Sequence, residues 1–98
     1  MSGIARVGDK AVGKCKCHSP DKKMTGVIIT GSPDTFVDGR SVARIGDVVR
    51  AKCGHKGIIV SASPDVITDG QGTARLGDKT TGCFIATIIT ASEDTFAD

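Results

Sequence analysis

The sequence predicts an all-β fold in which three copies of one small unit close around a pseudo-threefold axis. Three observations predict it. Two sequence blocks recur three times in the same order, and glycine and β-branched residues dominate, with 13 glycines among 98 residues. No long stretch carries the 3.6-residue apolar period of an amphipathic helix. Glycine-rich turns between β-branched runs favour short strands instead.

The first block is Ala5-Arg6-Val7-Gly8-Asp9, repeated as Ala43-Arg44-Ile45-Gly46-Asp47 and Ala74-Arg75-Leu76-Gly77-Asp78. The second is Thr30-Gly31-Ser32-Pro33-Asp34-Thr35-Phe36-Val37-Asp38-Gly39. It returns as Ser61-Ala62-Ser63-Pro64-Asp65-Val66-Ile67-Thr68-Asp69-Gly70 and as Thr90-Ala91-Ser92-Glu93-Asp94-Thr95-Phe96-Ala97-Asp98. Internal repetition of this kind means that each copy is one structural unit that buries its apolar face against its neighbours.

Each copy reads as strand, turn, loop, strand, turn, strand. The segments Gly26-Val27-Ile28-Ile29-Thr30, Gly57-Ile58-Ile59-Val60-Ser61 and Ala86-Thr87-Ile88-Ile89-Thr90 are strands. Asp38-Gly39 and Asp69-Gly70 are hairpin turns, because glycine takes positive φ without steric cost. The Gly-Asp pair after each arginine predicts a second turn, and an Arg three residues before an Asp predicts an ion pair within or between repeats. The expected organisation is one domain over residues 1–98, with repeats at about 4–40, 41–71 and 72–98. Three units without an evident capping unit favour closure around an axis over a linear solenoid.

Composition narrows the function. Only 3% of residues are aromatic, so burial has few large side chains to work with, and a small domain of this kind relies on a staple. A net charge of +2 does not by itself imply a nucleic-acid or membrane partner. Its distribution is uneven: Lys14, Lys16, Lys22, Lys23, Lys52 and Lys56 lie in the cysteine-bearing loops, while Asp34, Asp38, Asp65, Asp69 and Asp94 lie around turns elsewhere. Gathered in space, these give the molecule a basic end and an acidic end. The first residues contain no apolar leader segment, and Val27-Ile28-Ile29 and Ile58-Ile59-Val60 are too short to span a bilayer. The expectation is a chain made in the cytoplasm without a signal peptide, where four cysteines point to thiolate ligands more than to disulfides.

Every Cys and His falls in one loop per repeat. Cys15 and Cys53 lie at the same offset after the arginine, and Cys83 lies one residue earlier. Cys17 and His55 stand two residues beyond the first pair, and His18 follows Cys17. Loops that meet at one end of an axis would gather these donors around a tetrahedral ion, with Zn²⁺ first and iron as the alternative. The six donors exceed four places. His18, Cys53, His55 and Cys83 form the expected core, with Cys15 and Cys17 competing for the first repeat's contribution. No obvious carboxylate partner stands near as a general base, which favours a closed structural site over a catalytic one.

The repeated Ala-Arg-apolar-Gly-Asp, the Gly-Ser-Pro and Asp-Gly blocks and the Cys/His loops together resemble the Pro-Ala-Ala-Arg (PAAR) repeat proteins, over essentially the whole chain. The tetrapeptide itself departs from the name, reading Ser41-Val42-Ala43-Arg44 and Gly72-Thr73-Ala74-Arg75, without proline. The resemblance implies a short β cone on the trimeric β-helical spike of a contractile injection machine, either a type VI secretion system or a contractile-tailed phage baseplate. It implies a broad base that continues the spike, a metal-stapled apex, and a point that transiently pierces the target cell's outer membrane. The protein would then be part of a virion baseplate or be secreted at the tip of the apparatus, with no enzymatic activity, nucleic acid or small-molecule substrate. The alternative is a small metal-stabilised module that binds nucleic acid or protein through its lysine-rich loops. The scarcity of aromatic residues for base stacking weighs against nucleic acid.

Overall fold

The computed structural model describes residues 2–97, and among these it contains strands and no helix. In chain order the strands are β1 (Ser2–Gly3), β2 (Lys10–Cys15), β3 (Lys22–Ile28), β4 (Phe36–Val37), β5 (Arg40–Ser41) and β6 (Val48–Ala51). They continue with β7 (Lys56–Ile59), β8 (Ile67–Thr68), β9 (Gln71–Gly72), β10 (Thr80–Gly82), β11 (Phe84–Ile88) and β12 (Phe96–Ala97). The fold is all-β, as expected.

The longer strands form one antiparallel hairpin per repeat: β2–β3, β6–β7 and β10–β11. Each hairpin then pairs with the next, giving the sheet order β10-β7-β6-β3-β2-β11. The two strands at the ends of that order belong to the same hairpin, so the six-stranded sheet comes close to a closed barrel. At this seam a side chain takes over from the backbone ladder. The Thr80 hydroxyl donates to the Phe84 carbonyl at 2.7 Å and accepts from the Ala86 N–H at 2.9 Å, while Lys79 and Thr87 form an isolated bridge. A nearly closed sheet leaves little unpaired edge.

Below the hairpins the repeats are joined at the axis itself. Ala43 N–H donates to the Ala5 carbonyl at 2.9 Å, Ala74 to Ala43 at 3.0 Å and Ala5 to Ala74 at 3.0 Å. These bonds form a circle that runs once around the three repeats, and all three alanines are fully buried in one cluster. The residue before each arginine is therefore small because three of its kind share the axis.

The turns follow from the same blocks. Asp9, Asp47 and Asp78 each donate a backbone N–H to the carbonyl of the arginine three residues earlier. Gly8, Gly46 and Gly77 hold φ near +90° in the third position, as a type II turn requires. The Asp38-Gly39 and Asp69-Gly70 turns carry positive φ at both residues, the primed geometry that matches strand twist. They close two ribbons, β4–β5 and β8–β9. The third ribbon pairs the two ends of the chain, Ser2 with Ala97 and Gly3 with Phe96. The third repeat is thus completed by the start of the first, which locks the ring.

Within each turn the arginine and aspartate pair with one another. Arg6 Nε and Nη2 reach the two Asp9 carboxylate oxygens at 2.9 and 3.1 Å, and Arg44–Asp47 and Arg75–Asp78 repeat the fork. The next repeat is tied in through hydroxyls: Thr30 donates to Asp47, Ser61 to Asp78 and Thr90 to Asp9, each at 2.9 Å. The aspartates are buried, and a buried carboxylate is tolerable only when paired and hydrogen-bonded. Burial alone would raise the Asp9 carboxyl. Hydrogen bonds from the Arg6 side chain, the Thr90 hydroxyl and the Arg6 backbone, with the Arg6 charge, outweigh it and hold Asp9 below the ordinary carboxylate range.

Apolar packing is thin and local. Ile28, Ile59 and Ile88, at matching positions, point inward and are fully buried, while Val27, Ile58, Ile29, Val60 and Ile89 are exposed on the outside. Phe84 is the largest fully buried side chain. Its space comes from glycines in the other two repeats: a Cβ on Gly26 would lie 2.5 Å from the Phe84 ring, and one on Gly57 would lie 2.2 Å from its carbonyl. A smaller cluster of Ile4, Val42 and Ala97 fills the ribbon end.

Two outcomes are expected. Phe84→Ala should cost about 3–5 kcal/mol, read by urea or thermal unfolding, because it removes the largest fully buried side chain of a thin core. For Asp9, a folded-state pKa below the unfolded one adds stability that is complete above the unfolded value of about 4. That stability is lost as pH falls through the lower folded value. Asp9→Asn should therefore lie about 3 kcal/mol below wild type at neutral pH, with the gap closing as both are titrated toward pH ~2.

Candidate metal centre

The tips of the three hairpins come together at one end of a molecule measuring 38 × 24 × 22 Å. Cys15 ends β2, His18 lies in the following turn, and Cys53 and His55 lie in the turn from β6 to β7. One ligand atom from each of these four residues falls within 4.8 Å of every other. Cys15 Sγ is 3.2 Å and Cys53 Sγ 3.4 Å from His55 Nδ1, and the two sulfurs are 3.5 Å apart. A tetrahedron built with zinc–sulfur bonds of about 2.3 Å and zinc–nitrogen bonds of about 2.0 Å has edges close to these separations.

A second observation supports the fit. His18 Nε2 is buried and has no hydrogen-bond partner. An orphaned buried ring nitrogen is costly, and here it lies in the group of donors that would share an ion. The two imidazoles meet edge to face with ring centres 5.2 Å apart. Cys15 is fully buried, and that burial pushes its thiol up. The nearby Cys53 adds to the rise, while a backbone hydrogen bond from Cys17 opposes it. Two cysteines and two histidines suit Zn²⁺ and also suit iron. When bound, such an ion would cross-link the first hairpin to the second.

The structure brings together three of the four residues expected at the core, His18, Cys53 and His55, and, of the two cysteines competing for the first repeat's place, Cys15. Cys83 and Cys17, expected among the donors, are bonded to each other. Their Cα atoms lie 5.3 Å apart, within the span a disulfide bridges. The expectation of thiolate ligands more than disulfides is corrected for this pair, while Cys15 and Cys53 remain free thiols. Sequence offsets alone hid this, because Cys17 sits on the long first loop and Cys83 lies one position out of register. The third hairpin is thus fastened to the first by a covalent bond.

Sequence reasoning passed over the residues at the opposite end. Phe36, Ile67 and Phe96 occupy the same place in β4, β8 and β12, and each is about half exposed (57%, 57% and 45%). The repeat alignment already placed them together, but nothing in it said which way they faced. Around them lie the exposed carboxylates Asp34, Asp38, Asp65, Asp69 and Asp94, whereas the six loop lysines surround the hairpin tips. Asp38 and Asp69 are paired with Arg6 and Arg44, so the acidic end expected from sequence is partly neutralised.

A single chain folded as a threefold β structure, with Cys/His donors gathered at one end and apolar side chains bared at the other, defines a closed repeat tip. Residues 2–56 match the PAAR motif family. That is more than half of the chain, and the protein belongs to this family, which ties it to the structural spike tips of contractile injection systems. No curated protein matches the chain closely enough to count as a relative.

Metal analysis of the purified protein should find one ion per chain. His18→Ala and Cys53→Ser should each lower metal affinity at least about tenfold and reduce the melting temperature. A chelator should shift the melting temperature of the wild type and leave that of the double variant unchanged.

Proposed function

We propose that residues 1–98 act as one PAAR-like domain that caps and sharpens the trimeric β-helical spike of a contractile injection machine. The ribbon end seats on the spike, and the hairpin end is the exposed point that pierces a target membrane. One observation carries this reading: a single chain bares one large apolar side chain per ribbon, Phe36, Ile67 and Phe96, in a threefold set. Exposed apolar residues arranged this way serve a partner, and a partner that meets all three equally has threefold symmetry itself. The internal repeat resolves the mismatch between one chain and three.

The role is structural rather than enzymatic. Zn²⁺ held by Cys15, His18, Cys53 and His55, with iron as the alternative, fastens the point in this reading. Metal binding then contributes directly to folding. The site of action is the tip of a phage baseplate or of a type VI secretion apparatus.

Co-purification with a trimeric spike protein tests the proposal. One chain per trimer is expected, and Phe36→Asp/Ile67→Asp/Phe96→Asp should weaken the complex at least about a hundredfold, since each buried large apolar group is worth about 1.5–3 kcal/mol. Three chains per trimer, or a triple variant that binds like wild type, would contradict it.

A further inference from the structure

Two grooves on the flanks, just behind the hairpin tips, carry lysines at equivalent places of the repeat. The first, about 370 Å³, lies at the junction of β11 with β2 and is lined by Val12, Lys14, Lys16, Lys79 and Ile85. The second, about 310 Å³, lies at the junction of β3 with β6 and is lined by Lys10, Val27, Arg50 and Lys52. Lys79 and Lys10 stand four residues after their arginines, and Lys14 and Lys52 stand eight after theirs. The same cations therefore reach the rim of both grooves from equivalent places. Val48 and Cys83 hold the corresponding positions at the third junction, which lacks the rim.

These cations are arranged at a cost. Lys14 lies directly opposite Lys23 in β2–β3, and Arg50 directly opposite Lys56 in β6–β7. Like charges facing each other across a ladder destabilise it. Among residues 14–23 and 50–56 there are seven cations and one carboxylate, Asp21. The ion pairs among the described residues are all made by arginines with the turn aspartates Asp9, Asp38, Asp47, Asp69 and Asp78. Folding gains nothing from this crowding, so an external anion is what would relieve it.

We propose that the two grooves bind anionic phospholipid at a bilayer surface, with the lysine rims taking the phosphate and the aliphatic floors taking the first part of the acyl chains. The floor decides between polyanions. Ile85 and Val27 are exposed by 42% and 38%, and they offer apolar contact to a lipid but no aromatic face on which a base could stack. A bilayer surface can supply a separate lipid to each groove. Basic residues near an anionic leaflet each contribute on the order of 1 kcal/mol.

The inference does not rest on the spike reading, since it concerns the isolated chain. The test is co-sedimentation of the metal-loaded, disulfide-bonded protein with vesicles of phosphatidylcholine alone or containing about a quarter phosphatidylglycerol. The anionic vesicles should bind at least about tenfold more tightly. Lys10→Gln/Lys14→Gln/Lys52→Gln/Lys79→Gln should fall to the level of the neutral vesicles. Val27→Ser/Ile85→Ser, with every charge kept, should bind the anionic vesicles about three- to tenfold more weakly. All six side chains are exposed, and thermal melting of each variant checks the fold. Independently of any variant, soluble short-chain phosphatidylglycerol should bind the wild type more tightly than glycerol phosphate does. Equal binding to both vesicle types, full retention by the lysine variant, or equal affinity for the lipid and its free headgroup would overturn the proposal. So would tighter binding of a single-stranded oligonucleotide than of the anionic vesicles.

Discussion

Three backbone hydrogen bonds between Ala5, Ala43 and Ala74 make a circle at the axis, and the rest of the molecule is arranged around the need to keep it closed. The three alanine methyls are fully buried there, so a larger side chain would have to displace the packing around the circle. The next residue leaves the axis at once, so the arginine begins a tight turn and its aspartate folds back onto it. The hydroxyl of the preceding repeat then reaches that aspartate. Backbone circle, ion-pair fork and hydroxyl tie form a polar frame that substitutes for the large apolar core this composition cannot supply.

The frame is threefold, but what it carries is not. The buried aromatic comes from one repeat alone, and the other two contribute glycines at the facing positions. The tips differ as well: Cys15, His18, Cys53 and His55 gather between the first and second hairpins, and a disulfide joins the first to the third. One chain with three non-identical repeats can specialise each repeat, which a homotrimer cannot do. The base keeps its symmetry, where Phe36, Ile67 and Phe96 face outward alike. Under the proposed function, that is the end where symmetry matters.

The repeats made the fold legible. Ala-Arg-apolar-Gly-Asp and Asp-Gly state their turns outright, because positive φ at those glycines leaves few other conformations. Confinement of every Cys and His to the hairpin loops located the donor cluster. Its membership was harder to read, because a register offset along the chain does not report which sulfurs meet across an axis. Cys83 pairs with Cys17 through a chance of loop length, and Cys15 takes a place beside Cys53. The half-exposed Phe36 and Phe96 and the buried Phe84 are the same residue type in similar β contexts. Only the nearly closed sheet separates them, since what decides is the space for the ring left by Gly26 in another repeat.

Native-state hydrogen exchange at Ala5, Ala43 and Ala74 tests the central constraint most directly. If the circle of three bonds is the element on which the fold depends, these amides exchange only through global unfolding. They then share one protection factor that matches the unfolding free energy from denaturant titration. Exchange of any one of them by local opening, well ahead of the other two, would show that the repeats are held together elsewhere.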